Sequence, residues 1–131
     1  YGALLECPVA EVQRHLDLNL LGVHRTVLAT RPHWAPRPSR VIVSSLCGRV
    51  PIPRMGWYCI GKHGLEVYAA CLRLELAGEG LRVATVAPGT VATGFFGRAQ
   101  QFGPSWGWRP TRPLAPEAVA VSAAMAVVFT A

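Results

Sequence analysis

Lysine and asparagine are almost missing from this chain: 131 residues hold one of each, Lys62 and Asn19, beside twelve arginines. Acidic residues are also scarce, seven against thirteen basic ones, which sets the net charge at +6 and the pI near 9.8. That balance would suit nucleic acid, but the arginines lie scattered from Arg14 to Arg112, with no basic run and no aromatic-interleaved basic motif, so nucleic acid is not expected as a partner. Cys7, Cys47, Cys59 and Cys71 contain no CxxC pair, which argues against a disulfide scaffold or a zinc site and makes a reducing cytoplasm the default. His15, His24, His33 and His63 lack the i, i+4 spacing of a helical metal pair, so no metal is expected and each reads as a surface or packed histidine. The uncharged tail, Ala118 to Ala131, falls short of the roughly 20 residues of a membrane span. There is no initiating Met and nothing like a signal peptide at the start, so the expectation is a chain that begins partway through a longer protein.

What is abundant is apolar. A hydrophobic share of 51% and a mean hydropathy of +0.30 exclude a disordered chain and point to one domain, 1–131, with elements buried on several sides. From Pro8, the residues Val9, Val12, Leu16, Leu20, Val23, Val27 and Leu28 recur at helical spacing until Pro32 stops them. Arg40 to Ser44 is a short β-branched run that predicts a strand buried on both faces. Gly48 to Gly56 must be loop, since Pro51 and Pro53 fit no regular element there. A second long helix is predicted from Tyr58 to Ala77, with Leu65, Tyr68, Leu72 and Leu76 on one stripe and Gly78 and Gly80 as its stop. Leu81 to Ala87 predicts a second buried strand, closed by Pro88-Gly89. Gly94 to Arg112 reads as a long loop of the kind that lines substrate pockets, and Pro116-Glu117 opens a last helix. The alternation gives a parallel α/β layer architecture. Two strands do not make a stable parallel sheet, so partner strands are expected outside this chain.

The lone lysine sits four residues after Tyr58, on the same face of the predicted helix. A chain that otherwise uses arginine has placed a compact ammonium beside a phenol, where it lowers the cost of phenolate. Tyr-x-x-x-Lys occurs by chance in many helices, as a packed phenol beside a solvated charge. Three further features favour chemistry. Ser44-Ser45 ends the first strand, at the edge where α/β sheets bind ligands. Asn19 stands inside a helix despite poor propensity. Pro88-Gly89-Thr90-Val91-Ala92-Thr93 follows the second strand at the same edge.

These residues resemble the short-chain dehydrogenase/reductase family over nearly the whole chain. Ser44-Ser45-Leu46-Cys47-Gly48 matches its Ser-Ser-x-x-Gly, with Tyr58 and Lys62 of YxxxK at the family spacing. Asn19-Leu20-Leu21-Gly22 matches its helical Asn-x-x-Gly, and Pro88, Gly89 and Thr93 match PGxxxT. The wording from Tyr58 to Glu66 also looks like the branch that acts on retinoids, steroids and hydroxybutyrate.

The resemblance implies a Rossmann-type, doubly wound parallel sheet, present here as its C-terminal catalytic half. It implies an enzyme that interconverts an alcohol and a ketone or aldehyde by hydride transfer with NAD or NADP. Tyr58 would be the general acid/base. Lys62 would hold the nicotinamide ribose and favour the phenolate, Ser45 would hydrogen-bond the substrate oxygen, and Asn19 would hold a relay water. Pro88, Gly89, Val91 and Thr93 would help bind the cofactor, with Thr93 and the backbone around Val91 on the nicotinamide carboxamide. Trp57, Phe95 and Phe96, with Trp106 and Trp108 in the same loop, favour a lipophilic alcohol or ketone as substrate. Arg98, Arg109 and Arg112 leave a carboxylate-bearing substrate open. The two long helices match those that form the family's oligomer bundle, which implies a homo-oligomer.

The chain also departs from the pattern. Gly61 replaces the usual serine before the lysine, and the glycine-rich phosphate motif of the first strand is absent. An alternative therefore stands beside the enzyme: a non-catalytic fragment or pseudoenzyme that works only through partner binding by its helices.

Overall fold

A computed structural model describes residues 2–36 and 39–89. The element order is helix α1 (Val9–Leu16), a π-helical turn (Asp17–Leu21), helix α2 (Gly22–Thr30), strand β1 (Ser39–Val43), helix α3 (Gly56–Glu75) and strand β2 (Arg82–Val86). The calls on Val91, Thr93, Phe95, Phe96, Trp106, Trp108 and the helix from Pro116 lie outside the described residues.

β1 and β2 pair in parallel, Ser39 opposite Arg82 and Val43 opposite Val86, with α3 as the crossover between them. Ile42, Leu65, Ala69, Leu76, Leu81 and Val83 form the buried cluster, and Leu20, Val23, Trp34, Tyr68 and Leu72 pack against it. Leu65 is fully enclosed, and burying a side chain of that size contributes roughly 1.5–3 kcal/mol. α3 ends at Glu75 and a 3-10 turn, Ala77–Glu79, follows; Gly80 closes that turn at φ 72°, a left-handed conformation that glycine adopts without penalty, and the chain enters β2.

The strands differ from expectation in one respect. β1 is buried on one face only: Ile42 is enclosed, while Val41 and Val43 remain 62% and 61% exposed. Alternate side chains point to opposite faces, and among the described residues the helices cover just one. The apolar run answers to a second covered face that these residues do not supply.

The first long helix is likewise not uniform. At Asp17–Leu21 it winds one residue wider, and the N–H of Gly22 reaches the carbonyl of Asp17, five residues back. Asn19 lies in that turn, its side-chain amide donating to the carbonyl of His15 at 3.0 Å. Such π turns recur at functional positions in helices. Gly61 and Gly64, one turn apart on α3, let this helix close in. A Cβ at Gly61 would stand 3.5 Å from His15 Nε2, and one at Gly64 3.3 Å from Leu20 Cδ2. Among the described residues no helix is long and apolar enough to cross a membrane.

Candidate active site

The site gathers where β1 ends. The N–H of Ser44 extends the ladder to the carbonyl of Val86 (2.8 Å), and the N–H of Leu46 reaches the carbonyl of Pro88 (2.9 Å). The serine motif and Pro88-Gly89 are thus fastened together, although more than forty residues separate them in sequence. Ser45 then caps a single 3-10 turn, Leu46–Gly48, by accepting the N–H of Cys47 at 3.1 Å. Gly48 is glycine for a steric reason. A Cβ there would lie 2.6 Å from Ser44 Oγ and 2.9 Å from the carbonyl oxygen of Lys62. That approach holds the serine turn flush against α3.

α3 presents Tyr58 and Lys62 to the turn. The phenol of Tyr58 lies close enough to the Ser45 side chain for the hydroxyl to act on its proton affinity. The Lys62 ammonium lies 5.8 Å from the centroid of the phenol ring and donates to the carbonyl of Val43 at 3.2 Å. Ser45, Tyr58 and Lys62 therefore meet as the spacing predicts. Asn19 approaches from the crossing helix through His15, whose ring packs edge-on against Tyr58 at 5.9 Å between centroids and 65° between planes. Trp57 donates its indole N–H to the carbonyl of Leu4 (3.2 Å), tying the first segment of the chain to α3.

The electrostatics differ from the sequence argument. Burial raises the Tyr58 phenol above its ordinary value; the Ser45 hydrogen bond opposes this, and the Cys47 and Cys59 thiols add to it. Burial also lowers the Lys62 ammonium. At rest the phenol therefore keeps its proton. The lysine's charge, spent partly on a strand carbonyl, does not outweigh desolvation.

Sequence reasoning missed His15. Its Nδ1 lies 3.3 Å from the Asn19 amide nitrogen, and its Nε2 is buried with no hydrogen-bond partner among the described residues. The available signal was its position four residues before Asn19, which places the two on one helix face. The sequence also concealed Cys47 and Cys59, both buried, which interact with each other and with the Tyr58 phenol.

A family model described as enoyl-(acyl carrier protein) reductase matches residues 1–130. The chain belongs to the short-chain dehydrogenase/reductase family. It is 30% identical over 103 residues to the uncharacterized oxidoreductase YbbO of Escherichia coli K12, covering 77% of this chain and 38% of that protein. It is 42% identical over 80 residues to mouse retinol dehydrogenase 16, covering 60% of this chain and 25% of that protein. A short-chain dehydrogenase/reductase of unknown function from Caenorhabditis elegans, solved with cofactor, superposes with a TM-score of 0.67 at 29% identity, over 77% of this chain and 41% of that one. The chain therefore spans well under half the length of these relatives. With that kinship, the two-stranded parallel sheet and its crossover helix are a portion of a Rossmann-type sheet, as the motifs implied.

Proposed function

We propose that the protein carrying this chain is an NAD- or NADP-dependent oxidoreductase that interconverts an alcohol and a ketone or aldehyde. The observation that carries the reading is the joint placement of Ser45, Tyr58 and Lys62: a hydroxyl that acts on the phenol, and an ammonium 5.8 Å from the phenol ring. In reduction Tyr58 gives its phenolic proton to the substrate oxygen, and in oxidation it takes that proton back. Ser45 donates to the same oxygen and stabilises charge as it develops. Asn19 holds the water through which Lys62 exchanges protons with solvent.

The residues present suit one end of a nicotinamide cofactor. An ammonium and a phenol at the carboxyl edge of the sheet are the donors that ribose hydroxyls need, and the chain turning at Pro88-Gly89 brings backbone to the same edge. Lys62 and Tyr58 would hold the ribose, and Thr93 with the backbone around Val91 the carboxamide, beside Pro88 and Gly89. When bound, the cofactor supplies the hydride in reduction and accepts it in oxidation. The pyrophosphate normally rests on helix N-terminal amides behind a glycine-rich turn, and this sequence contains no such turn.

The substrate we propose is lipophilic. The aromatic loop after Thr93 and the similarity to a retinol dehydrogenase both support this. Exposed leucines and valines on the helices, Leu18, Leu28, Val67 and Leu74 among them, support a homo-oligomer. The test is kcat/KM of the complete protein across hydrophobic secondary alcohols, sugars and hydroxy acids with either cofactor, beside its Tyr58→Phe variant. Turnover that prefers the hydrophobic members and collapses in the variant is expected. A clear preference for sugars, or full activity without the phenol, refutes the proposal.

A further inference from the structure

His15 stands at the centre of the site without a role in the chemistry so far described. Its neighbours constrain it closely. Nδ1 faces the Asn19 amide nitrogen at 3.3 Å, and the same nitrogen donates to the His15 carbonyl at 3.0 Å. Both contacts attract only if the Asn19 N–H groups point at them and Nδ1 is an acceptor, which requires a neutral imidazole with its proton on Nε2. The ring's other contacts are the Tyr58 phenol ring, edge-on, and the bare backbone of Gly61.

We propose that His15 is a positioning residue: as a neutral imidazole packed on the Tyr58 ring it fixes the Asn19 amide, and its protonation releases that amide, which makes the site acid-sensitive. Protonated Nδ1 becomes a donor facing an amide hydrogen. Rotating Asn19 by half a turn relieves that clash only by aiming its oxygen at the His15 carbonyl. No orientation of the amide satisfies both groups, so Asn19 leaves its place.

The groups around the ring favour the neutral form. From α3 come Tyr58 and the cationic Lys62; on the ring's own helix are Arg14, which is paired with Glu11, and the uncharged Asn19. Burial foremost, with Arg14 and Lys62 among the opposing cations, holds the imidazole below its ordinary value. The site is therefore intact at neutral pH, and the release occurs on acidification.

His15→Gln in the complete protein separates position from titration, because its amide oxygen still accepts from Asn19 and never takes a proton. The Asn19 side-chain amide is followed by NMR with 15N-asparagine labelling, its signals assigned by their loss in Asn19→Asp. The signals are expected to move as pH falls through a midpoint below that of an ordinary histidine, and to stay fixed in His15→Gln. In kinetics, His15→Gln should keep neutral-pH turnover and lose the acid limb of kcat. His15→Phe, which keeps the ring but has no acceptor, should lose roughly ten- to a hundredfold at neutral pH. An Asn19 signal that ignores pH, or titrates identically in His15→Gln, overturns the inference. The kinetic arm rests on the proposed dehydrogenase activity and the NMR arm does not. A protein without turnover refutes that activity and leaves the Asn19 signal to decide the role of His15.

Discussion

Replacing Gly61 by serine is expected to stabilise this protein, by an amount that depends on His15. Gly61 is buried in the middle of α3, where glycine is a poor helix former. The space for a side chain exists: an added Cβ would meet His15 Nε2 at 3.5 Å, Leu16 Cδ2 at 3.7 Å and His15 Cδ2 at 3.8 Å, all ordinary contacts. Alanine there gains about 1 kcal/mol of helix propensity and serine about 0.5. The serine hydroxyl additionally reaches the unpartnered Nε2 of His15, and a hydrogen bond of that kind contributes about 1 kcal/mol net. Serine should therefore stabilise by about 1.5 kcal/mol and exceed alanine. In a His15→Phe background the hydrogen bond is gone and alanine should exceed serine. Urea denaturation of the six proteins formed by three residues at 61 and two at 15 reads this reversal of rank directly. Serine falling below alanine beside His15, or both destabilising, refutes the geometry. Gly48→Ala is the opposite case. Its Cβ would lie 2.9 Å from the Lys62 carbonyl oxygen, a backbone atom that cannot swing aside. It should destabilise by about 1–3 kcal/mol and displace Ser45.

Lys62→Arg should lose at least about a hundredfold in kcat of the complete protein although the charge is kept, because a planar fork cannot occupy the place of an ammonium; near-normal turnover would show that the singleton lysine carries no meaning. Since Tyr58 is raised in the folded state, its contribution to stability is full below the unfolded phenol value of about 10 and is lost as pH rises through the higher folded value. Denaturation midpoints taken at rising alkaline pH should fall more steeply in the parent than in Tyr58→Phe, and parallel curves would contradict the assigned direction. The chain by itself should show no saturable NADH or NADPH fluorescence change below roughly millimolar concentration, because the pyrophosphate cradle is not in it; micromolar binding would mean that other residues do that work.

The linear sequence fixed whatever depends on local periodicity and spacing. The helical recurrence of Leu65, Tyr68, Leu72 and Leu76 was enough to define α3, since its buried stripe is a property of one element. Tyr58 and Lys62 share a face for the same reason. Boundaries moved by only a residue or two, as at β1, which runs Ser39–Val43 against the expected Arg40 to Ser44. Properties that depend on the environment of an element lay beyond it. β1 reads as buried on both faces, yet one face stands exposed, because apolar composition records what a strand is suited to and not which neighbour covers it. Tyr58 reads as a lowered phenol because a lysine is near, yet burial raises it, and desolvation depends on the packing around a group, which no spacing reports. Gly48 reads as a loop glycine and Gly61 as a departure from the usual serine. Only the crossing of three segments showed that the first admits a carbonyl and the second an imidazole, since contact between residues distant in sequence exists only once the chain has folded.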